Sequence, residues 1–418
     1  MKNSRIIYLN AQDAVVELGD DFGDFLKDAA FLGARTFRSL GFKLLMGKEW
    51  MSKSAEVLRS RLFDIITVLR DRHVLVDFDG LRRQSVKYGI LLIGPRDLQL
   101  NIIQECNYRC LYCSRHNPYV RHPVLPQERR VSSAALKSVI DDAYSMGVES
   151  VVFCGKGEPL LYRGITCLIG YALSKGFLVG VPTNAVFADC LFKLPPTPRL
   201  SLIINLSAIN KTRHGLIHGG PVIDFCTHLS RIKKLSARFR VRLSFIITKQ
   251  NYRDIEKFLR VACSVNVNDV IFKFADTAIK KQQEELLLSQ EEAAYLYSQL
   301  CKIKTSSHEF GIKTNIGHIE SLLKKSRTAA PHKDSRIKCF NPWFFCKISF
   351  INGNRIYDCC RSEDEAVSIL QKTGFRHSFF SKNALRAAFE KSRGINQTSK
   401  IWKLCNTCSN TRTEAVDV

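Results

Sequence analysis

Between residues 98 and 274 short runs of β-branched and apolar residues recur at 98–103, 150–154, 178–182, 200–206, 240–247 and 270–274, each followed by a stretch of helical periodicity. A buried strand needs only about 4–8 such residues, and a parallel neighbour is reached through a crossover of about a dozen residues or more. Six runs at that spacing point to an α/β class with a parallel sheet, either doubly wound or curled towards a barrel. Barrel sites lie at the C-terminal ends of the strands, so functional residues are sought there.

The flanks read differently. Residues 1–95 look mostly helical, with amphipathic stretches at 24–32 and 55–70. A charged helical stretch covers 280–304, a basic linker runs through 321–338, and 347–351 and 355–357 read as a hairpin about Asn352-Gly353-Asn354. With 45% apolar and 24% charged residues, the 418-residue chain is not one that stays disordered over long stretches. No run reaches the roughly 18 apolar residues of a membrane span, and the N-terminus turns acidic before a signal-peptide core forms, so a cytoplasmic protein is expected. Lys and Arg outnumber Asp and Glu by 63 to 39, a net charge of +24 that favours anionic partners. No stretch has the arginine-rich or aromatic-interleaved character of a nucleic-acid groove, so nucleic acid is not the favoured partner.

Fifteen cysteines in a chain of this size point to metal or redox chemistry rather than a disulfide framework. Cys154, Cys167, Cys190, Cys226, Cys263 and Cys301 are scattered singly and read as small core hydrophobes. The first group, Cys106-Asn-Tyr-Arg-Cys110-Leu-Tyr-Cys113, directly follows an expected strand. Three thiolates are an incomplete set for a closed metal site, which asks for four, and they leave one iron of a cluster open for a ligand. The next strand runs into Gly155-Lys156-Gly157-Glu158-Pro159, where glycines admit a ligand close to the backbone and a carboxylate can accept hydrogen bonds from an ammonium group. The second group comprises Cys339, Cys346, Cys359, Cys360, Cys405 and Cys408. Its Cys405-Asn-Thr-Cys408 knuckle suits zinc or iron–sulfur and needs two further ligands.

The first group, with Tyr112 just before its last cysteine, resembles the signature of the radical S-adenosylmethionine superfamily. The resemblance implies a partial (β/α)6 TIM-like barrel over 96–320, preceded by the helical extension at 1–95 and followed by a small cysteine-rich domain at 321–418. It implies that Cys106, Cys110 and Cys113 hold a [4Fe–4S] cluster whose open iron chelates S-adenosylmethionine, and that Gly157 and Glu158 meet the methionyl amine. Tyr112, Asn184, Asn205 and Ser207 are the further cofactor contacts it suggests, although Thr183-Asn184 and Asn205-Leu206-Ser207 also read as caps or turn formers. The implied reaction is reductive cleavage of S-adenosylmethionine to a 5′-deoxyadenosyl radical that abstracts a substrate hydrogen. Arg242 and Lys273 lie on later strands, with their side unassigned. His116, His214 and His218 read as surface or turn residues, since no acidic residue accompanies them.

The second group resembles the SPASM or shortened twitch extension of that superfamily, through Cys339-Phe-Asn-Pro-Trp343, the turn at Gly353 and the Cys359-Cys360 pair. The resemblance implies one auxiliary [4Fe–4S] cluster held by Cys339, Cys359, Cys405 and Cys408. The spacing from Gly353 leaves Cys359 and Cys360 as alternatives, Cys346 reads as a packed strand residue, and zinc at the same four positions is the competing occupant. Relatives with such extensions modify peptides, sugars or natural-product precursors, so a peptide or small-molecule substrate is expected. A reducing partner such as flavodoxin or ferredoxin is expected as well. An RNA-modifying member of the superfamily and a non-enzymatic metal-stabilised binding protein are the competing readings.

Overall fold

The computed structural model describes residues 5–8, 15–18, 82, 93–119, 131–220, 224–267, 269–275, 280–306, 310–328, 345–349 and 355–357. The six expected strands are present as β3 (Asp97–Ile103), β4 (Ser150–Gly155), β5 (Leu178–Thr183), β6 (Thr197–Asn205), β7 (Phe239–Ile247) and β8 (Asp269–Phe274). They lie side by side in chain order and all parallel, with β9 (Lys313–Thr314) added beyond β8. Helices α1 (Ser133–Ser145), α2 (Ile165–Ser174), α3 (Lys211–His218), α4 (Phe225–Ser236) and α5 (Ile255–Ser264) fill the crossovers. This is the α/β partial barrel that the strand spacing and the resemblance together led us to expect.

The strands form because their alternation separates two environments. Leu98, Leu100 and Ile102 of β3 are fully buried in one core with Leu136, Val139 and Ile140 of α1, while Gln99 and Asn101 alternate with them. Further round, Phe258 of α5 packs against Phe245 at 4.6 Å and Phe272 at 6.3 Å between ring centroids. Each buried ring contributes roughly 1.5–3 kcal/mol, so this trio clamps α5 onto β7 and β8. Side-chain caps start the helices, with Ser132, Asn210 and Asp224 accepting from the amides of Ala135, Arg213 and Thr227.

Three details differ from the sequence reading. The helical stretch expected at 280–304 is two helices, α6 (Lys280–Leu286) and α7 (Gln290–Ser306). Ser289 and Glu292 exchange backbone–side-chain bonds of 2.8 and 3.2 Å, a capping box that starts a second helix. A last helix, α8, spans Ile316–Thr328. Within 1–95, β1 (Arg5–Tyr8) and β2 (Val15–Leu18) form an antiparallel pair where helix was expected; Ile, Val and Tyr fit a pleated surface better than a helix. The amphipathic stretches at 24–32 and 55–70 lie outside the described residues. Arg82 is buried, donates to the Gly94 and Gly147 carbonyls at 3.2 and 3.0 Å and pairs with Glu149.

The expected hairpin is β10 (Phe345–Ser349) with β11 (Arg355–Tyr357), antiparallel in the register Lys347↔Tyr357. β10 pairs in parallel with β3, extending the barrel sheet on the side away from β9. Cys346 lies in β10, whereas Cys339, Cys359, Cys360, Cys405 and Cys408 lie outside the described residues.

Candidate active site at the strand C-terminal ends

The loop leaving β3 carries Cys106, Cys110 and Cys113, and its course is fixed by backbone bonds. The amides of Arg109 and Leu111 donate to the carbonyls of His218, Gly219 and Ile217 at 2.9–3.1 Å, so the C-terminus of α3 supplies its unpaired acceptors to the cysteine loop. Gly219 and Gly220 make this contact possible, with positive φ of 51° and 132°. A Cβ at Gly220 would stand 2.7 Å from the Tyr108 ring.

The turn after β4 closes on the same loop. The Glu158 amide donates to the Glu105 carbonyl at 2.8 Å, immediately before Cys106. Gly157 lies so close that a Cβ would be 1.9 Å from that carbonyl oxygen, and a Cβ on Gly155 would be 2.3 Å from the Ile103 carbonyl. The glycines expected to admit a ligand are thus also required by the chain's own packing. Glu158 is buried, and its carboxylate accepts from Leu160 N at 3.1 Å, Thr183 Oγ1 at 2.6 Å and Asn184 N at 2.8 Å. A carboxylate has about four acceptor positions, so one is left for an ammonium donor. Burial raises its pKa against the lowering of these three bonds. Asn184 continues the network by donating to Asn107 Oδ1 at 2.8 Å, which reaches back into the cysteine loop.

A second network forms on Tyr112. Its hydroxyl donates to Asn205 Oδ1 at 3.1 Å, Ser207 Oγ donates to the same oxygen at 3.1 Å, and Ile246 N donates to Ser207 Oγ at 2.9 Å. His218 joins them: Nε2 accepts the Ser207 amide at 3.1 Å, and Nδ1 stands 3.3 Å from Tyr112 OH and 3.4 Å from Cys110 Sγ. Of the six expected cofactor residues, Glu158 and Asn184 belong to the first hydrogen-bonded set and Tyr112, Asn205 and Ser207 to the second, while Gly157 packs against the Glu105 carbonyl beside Cys106.

His214 and His218 are corrected from surface residues to core. Both are buried and stack at 4.5 Å between centroids, and His228 lies 6.0 Å from His214. Burial pushes His214 and His228 down to about 4, and His218 falls well below its ordinary value. A sequence signal existed in the i, i+4 pair ahead of Gly219-Gly220. His116 is also tied in, with Nε2 2.7 Å from the Gln104 carbonyl. Of the singly placed cysteines expected in the core, Cys154 is buried, Cys190 and Cys301 are half-buried, and Cys167, Cys226 and Cys263 are corrected to exposed positions. Cys154 is polar in its contacts, taking a bond from Gln99 Nε2 at 2.9 Å and donating to Asn101 Oδ1 at 2.8 Å. Arg242 donates to Asp269 at 2.7 Å, and Lys273, an exposed residue, is held below its ordinary pKa by desolvation from the protein mass around it and by Arg242.

The donor set fits an iron–sulfur cluster with a small polar ligand. Burial lifts the Cys106 thiol to about 11, with Glu158 and Cys113 adding to the rise, and burial followed by Cys113 and Cys106 raises Cys110 further. Iron bound here would reverse that balance by taking the thiolates. Amides already face the sulfurs: Tyr108 N donates to Cys106 Sγ at 3.4 Å, and Arg115 N and His116 N donate to Cys113 Sγ at 3.3 and 3.1 Å. Among the described residues no three His, Cys, Asp or Glu are placed to hold one metal ion; a four-iron cluster asks instead for one thiolate on each of three irons. Asn107 Nδ2, Tyr108 OH and Arg115 Nε are buried without a partner beside these cysteines, leaving donors for a bound group.

Residues 100–262 match the family described as Radical SAM superfamily. Among curated proteins, the chain is 28% identical over 170 residues to the S-adenosylmethionine-dependent nucleotide dehydratase of Selenomonas ruminantium, covering 37% of this chain and 57% of that protein. It is 25% identical over 202 residues to the GTP 3′,8-cyclase of Thermodesulfovibrio yellowstonii, covering 47% and 61%. The chain thus spans about three-fifths of the length of those relatives. Among solved structures, Streptococcus suis SuiB shares the fold at a TM-score of 0.54 and 15% identity, covering 93% of this chain and 86% of SuiB. The same protein bound to its precursor peptide SuiA matches at 0.53 and 14% identity, covering 98% of this chain and 91% of that one. Among the described residues no helix is long and apolar enough to cross a membrane. The family match thus covers the span from β3 to α5, and the likeness to SuiB is one of fold.

Proposed function

We propose that this protein is a radical SAM enzyme that oxidatively modifies a peptide or natural-product precursor. The observation that carries the reading is the convergence of the 106–113 cysteine loop with Gly157, Glu158, Asn184, Asn205 and Ser207 at the ends of β4, β5 and β6. When bound, a [4Fe–4S] cluster with S-adenosylmethionine supplies reductive cleavage to a 5′-deoxyadenosyl radical and hydrogen abstraction from substrate. The chain's part is to bind and orient. Cys106, Cys110 and Cys113 hold the cluster, and Glu158 offers its remaining acceptor position to the methionyl amine. Asn184, Asn205 and Ser207 present amide and hydroxyl groups to the cofactor's polar edges. Tyr112, pressed against Asn205, keeps the cysteine loop on the strand ends.

The peptide reading is supported by the fold shared with SuiB, whose structure holds a precursor peptide. In it, Cys339, Cys359, Cys405 and Cys408 hold one auxiliary [4Fe–4S] cluster that takes up the electron left on the substrate, and a flavodoxin or ferredoxin reduces the enzyme. A nucleotide or sugar substrate is the second reading, favoured by the likeness to the nucleotide dehydratase and the GTP cyclase. The test is 5′-deoxyadenosine release by anaerobically reconstituted protein with dithionite, with peptide mixtures and nucleoside triphosphates added separately. Peptide-stimulated release above the uncoupled rate supports the proposal. Stimulation by nucleotides alone selects the second reading, and no release under any reductant overturns both.

A further inference from the structure

We infer that His218 is a positioning residue that donates a hydrogen bond from Nδ1 to Cys110 Sγ and thereby tunes the reduction potential of the cluster this loop holds. The inference rests on the reading of Cys106, Cys110 and Cys113 as cluster ligands and adds to it a residue outside the cysteine motif.

The direction of the bond follows from the far side of the ring. His218 Nε2 lies 3.1 Å from the Ser207 amide nitrogen, in position to accept its N–H. A backbone amide only donates, so Nε2 carries no proton and the neutral imidazole keeps its one proton on Nδ1. Nδ1 has two acceptors in reach, Tyr112 OH at 3.3 Å and Cys110 Sγ at 3.4 Å. Tyr112 directs its own proton to Asn205 Oδ1 at 3.1 Å, which leaves its oxygen as an acceptor. A thiolate accepts more strongly than a neutral phenol, so once Cys110 is deprotonated for iron the shared proton is drawn to sulfur.

The ring has little freedom to do otherwise. It is 1% exposed, stacked on His214 at 4.5 Å and tilted against Tyr108 at 5.8 Å. The helix that carries it is bonded through the carbonyls of residues 217–219 to the amides of Arg109 and Leu111, on either side of Cys110. Donor and sulfur are therefore held by one piece of backbone. Hydrogen bonds to cluster sulfurs are among the factors that set an iron–sulfur potential, and a donor raises it by stabilising the more negative, reduced state.

Two substitutions separate this role from packing. His218→Gln reaches the Nε2 position and can still accept from the Ser207 amide, but offers no donor where Nδ1 stood. His218→Asn keeps a donor there and gives up the far acceptor. In a redox titration of anaerobically reconstituted protein followed by electron paramagnetic resonance, His218→Gln is expected to lower the reduced-to-oxidised ratio about tenfold at a fixed potential. That corresponds to a shift of about 59 mV in the negative direction for a one-electron couple. His218→Asn is expected to stay near wild type. Wild-type protein with histidine carrying ¹⁵N at ring Nδ1 alone is expected to show a ¹⁵N coupling to the reduced cluster by pulsed resonance, which decides the matter even if both variants fail to fold. Equal potentials in the variants with full cluster content, or no coupling in the labelled wild type, overturn the inference. A wild type that assembles no four-iron cluster overturns instead the reading of the cysteines on which it rests.

Discussion

Two hydrogen-bond networks converge on the 106–113 loop, and they use their acceptors differently. On one side the Glu158 carboxylate gathers Leu160 N, Thr183 Oγ1 and Asn184 N, three donors from the chain itself. On the other side His218 takes one donor from Ser207 and turns its own proton towards Cys110 and Tyr112. The first network ties the ends of β4 and β5 together and holds a charge in place. The second places a neutral donor against a sulfur. A site can thus combine a rigid frame with a tunable contact within one shell of residues, because a buried carboxylate must be satisfied by several donors while a buried neutral imidazole is satisfied by one donor and one acceptor.

The largest effect is expected at Gly157, where the β4 turn meets the cysteine loop. Gly157→Ala would place a Cβ 1.9 Å from the Glu105 carbonyl oxygen, and the two backbones would have to part. A loss of more than about 4 kcal/mol in urea denaturation, with loss of the bound iron, is expected. An alanine variant of wild-type stability would mean that the β4 turn and the cysteine loop are not in contact.

The next effect falls on the frame. Glu158→Ala leaves three buried donors without their acceptor and is expected to cost about 3 kcal/mol in the same measurement. Because burial raises the carboxyl pKa, the native state binds more protons than the unfolded chain just above pH 4.5, so this group's contribution to stability falls as pH rises through that window. The variant should lack that component of the pH profile, and a retained slope would assign it elsewhere.

The smallest effect concerns the histidines behind the second network. His228 is buried with neither nitrogen paired, and its pKa falls from 6.5 to about 4. The unfolded chain therefore takes up a proton that the native state refuses, and stability declines as pH drops from about 6.5 to 4. His228→Leu is expected to stabilise the protein, by about 2 kcal/mol at pH 5 and by less at pH 8. Thermal denaturation at the two pH values checks it; a destabilised variant at both would show that the ring has a partner after all.

Much of the fold was legible because each strand run is also one face of the core. Leu98, Leu100 and Ile102, or Leu243, Phe245 and Ile247, carry their alternation in plain sequence, and the strands begin within three residues of where the pattern placed them and end within one. The cysteine loop and the Gly157-Glu158 turn were equally visible, since both are contiguous motifs. His218 was not, because its burial depends on a fold-back at Gly219-Gly220 onto Tyr108 and Arg109, residues over a hundred positions away in sequence. Contiguous text cannot show which end of a short helix meets a distant loop. The break at Ser289 escaped notice for a different reason: helical propensity continues through it, and only the reciprocal bonds with Glu292 mark a new start.

In the proposed function, Cys106, Cys110 and Cys113 hold a cluster that cleaves S-adenosylmethionine. The most direct measurement is iron and sulfide content together with 5′-deoxyadenosine production, on anaerobically reconstituted wild type and on a Cys106/Cys110/Cys113→Ala variant with dithionite and S-adenosylmethionine. About eight irons are expected in wild type, about four in the variant, and deoxyadenosine from wild type alone. Zinc in place of iron, or equal deoxyadenosine from both proteins, would contradict it.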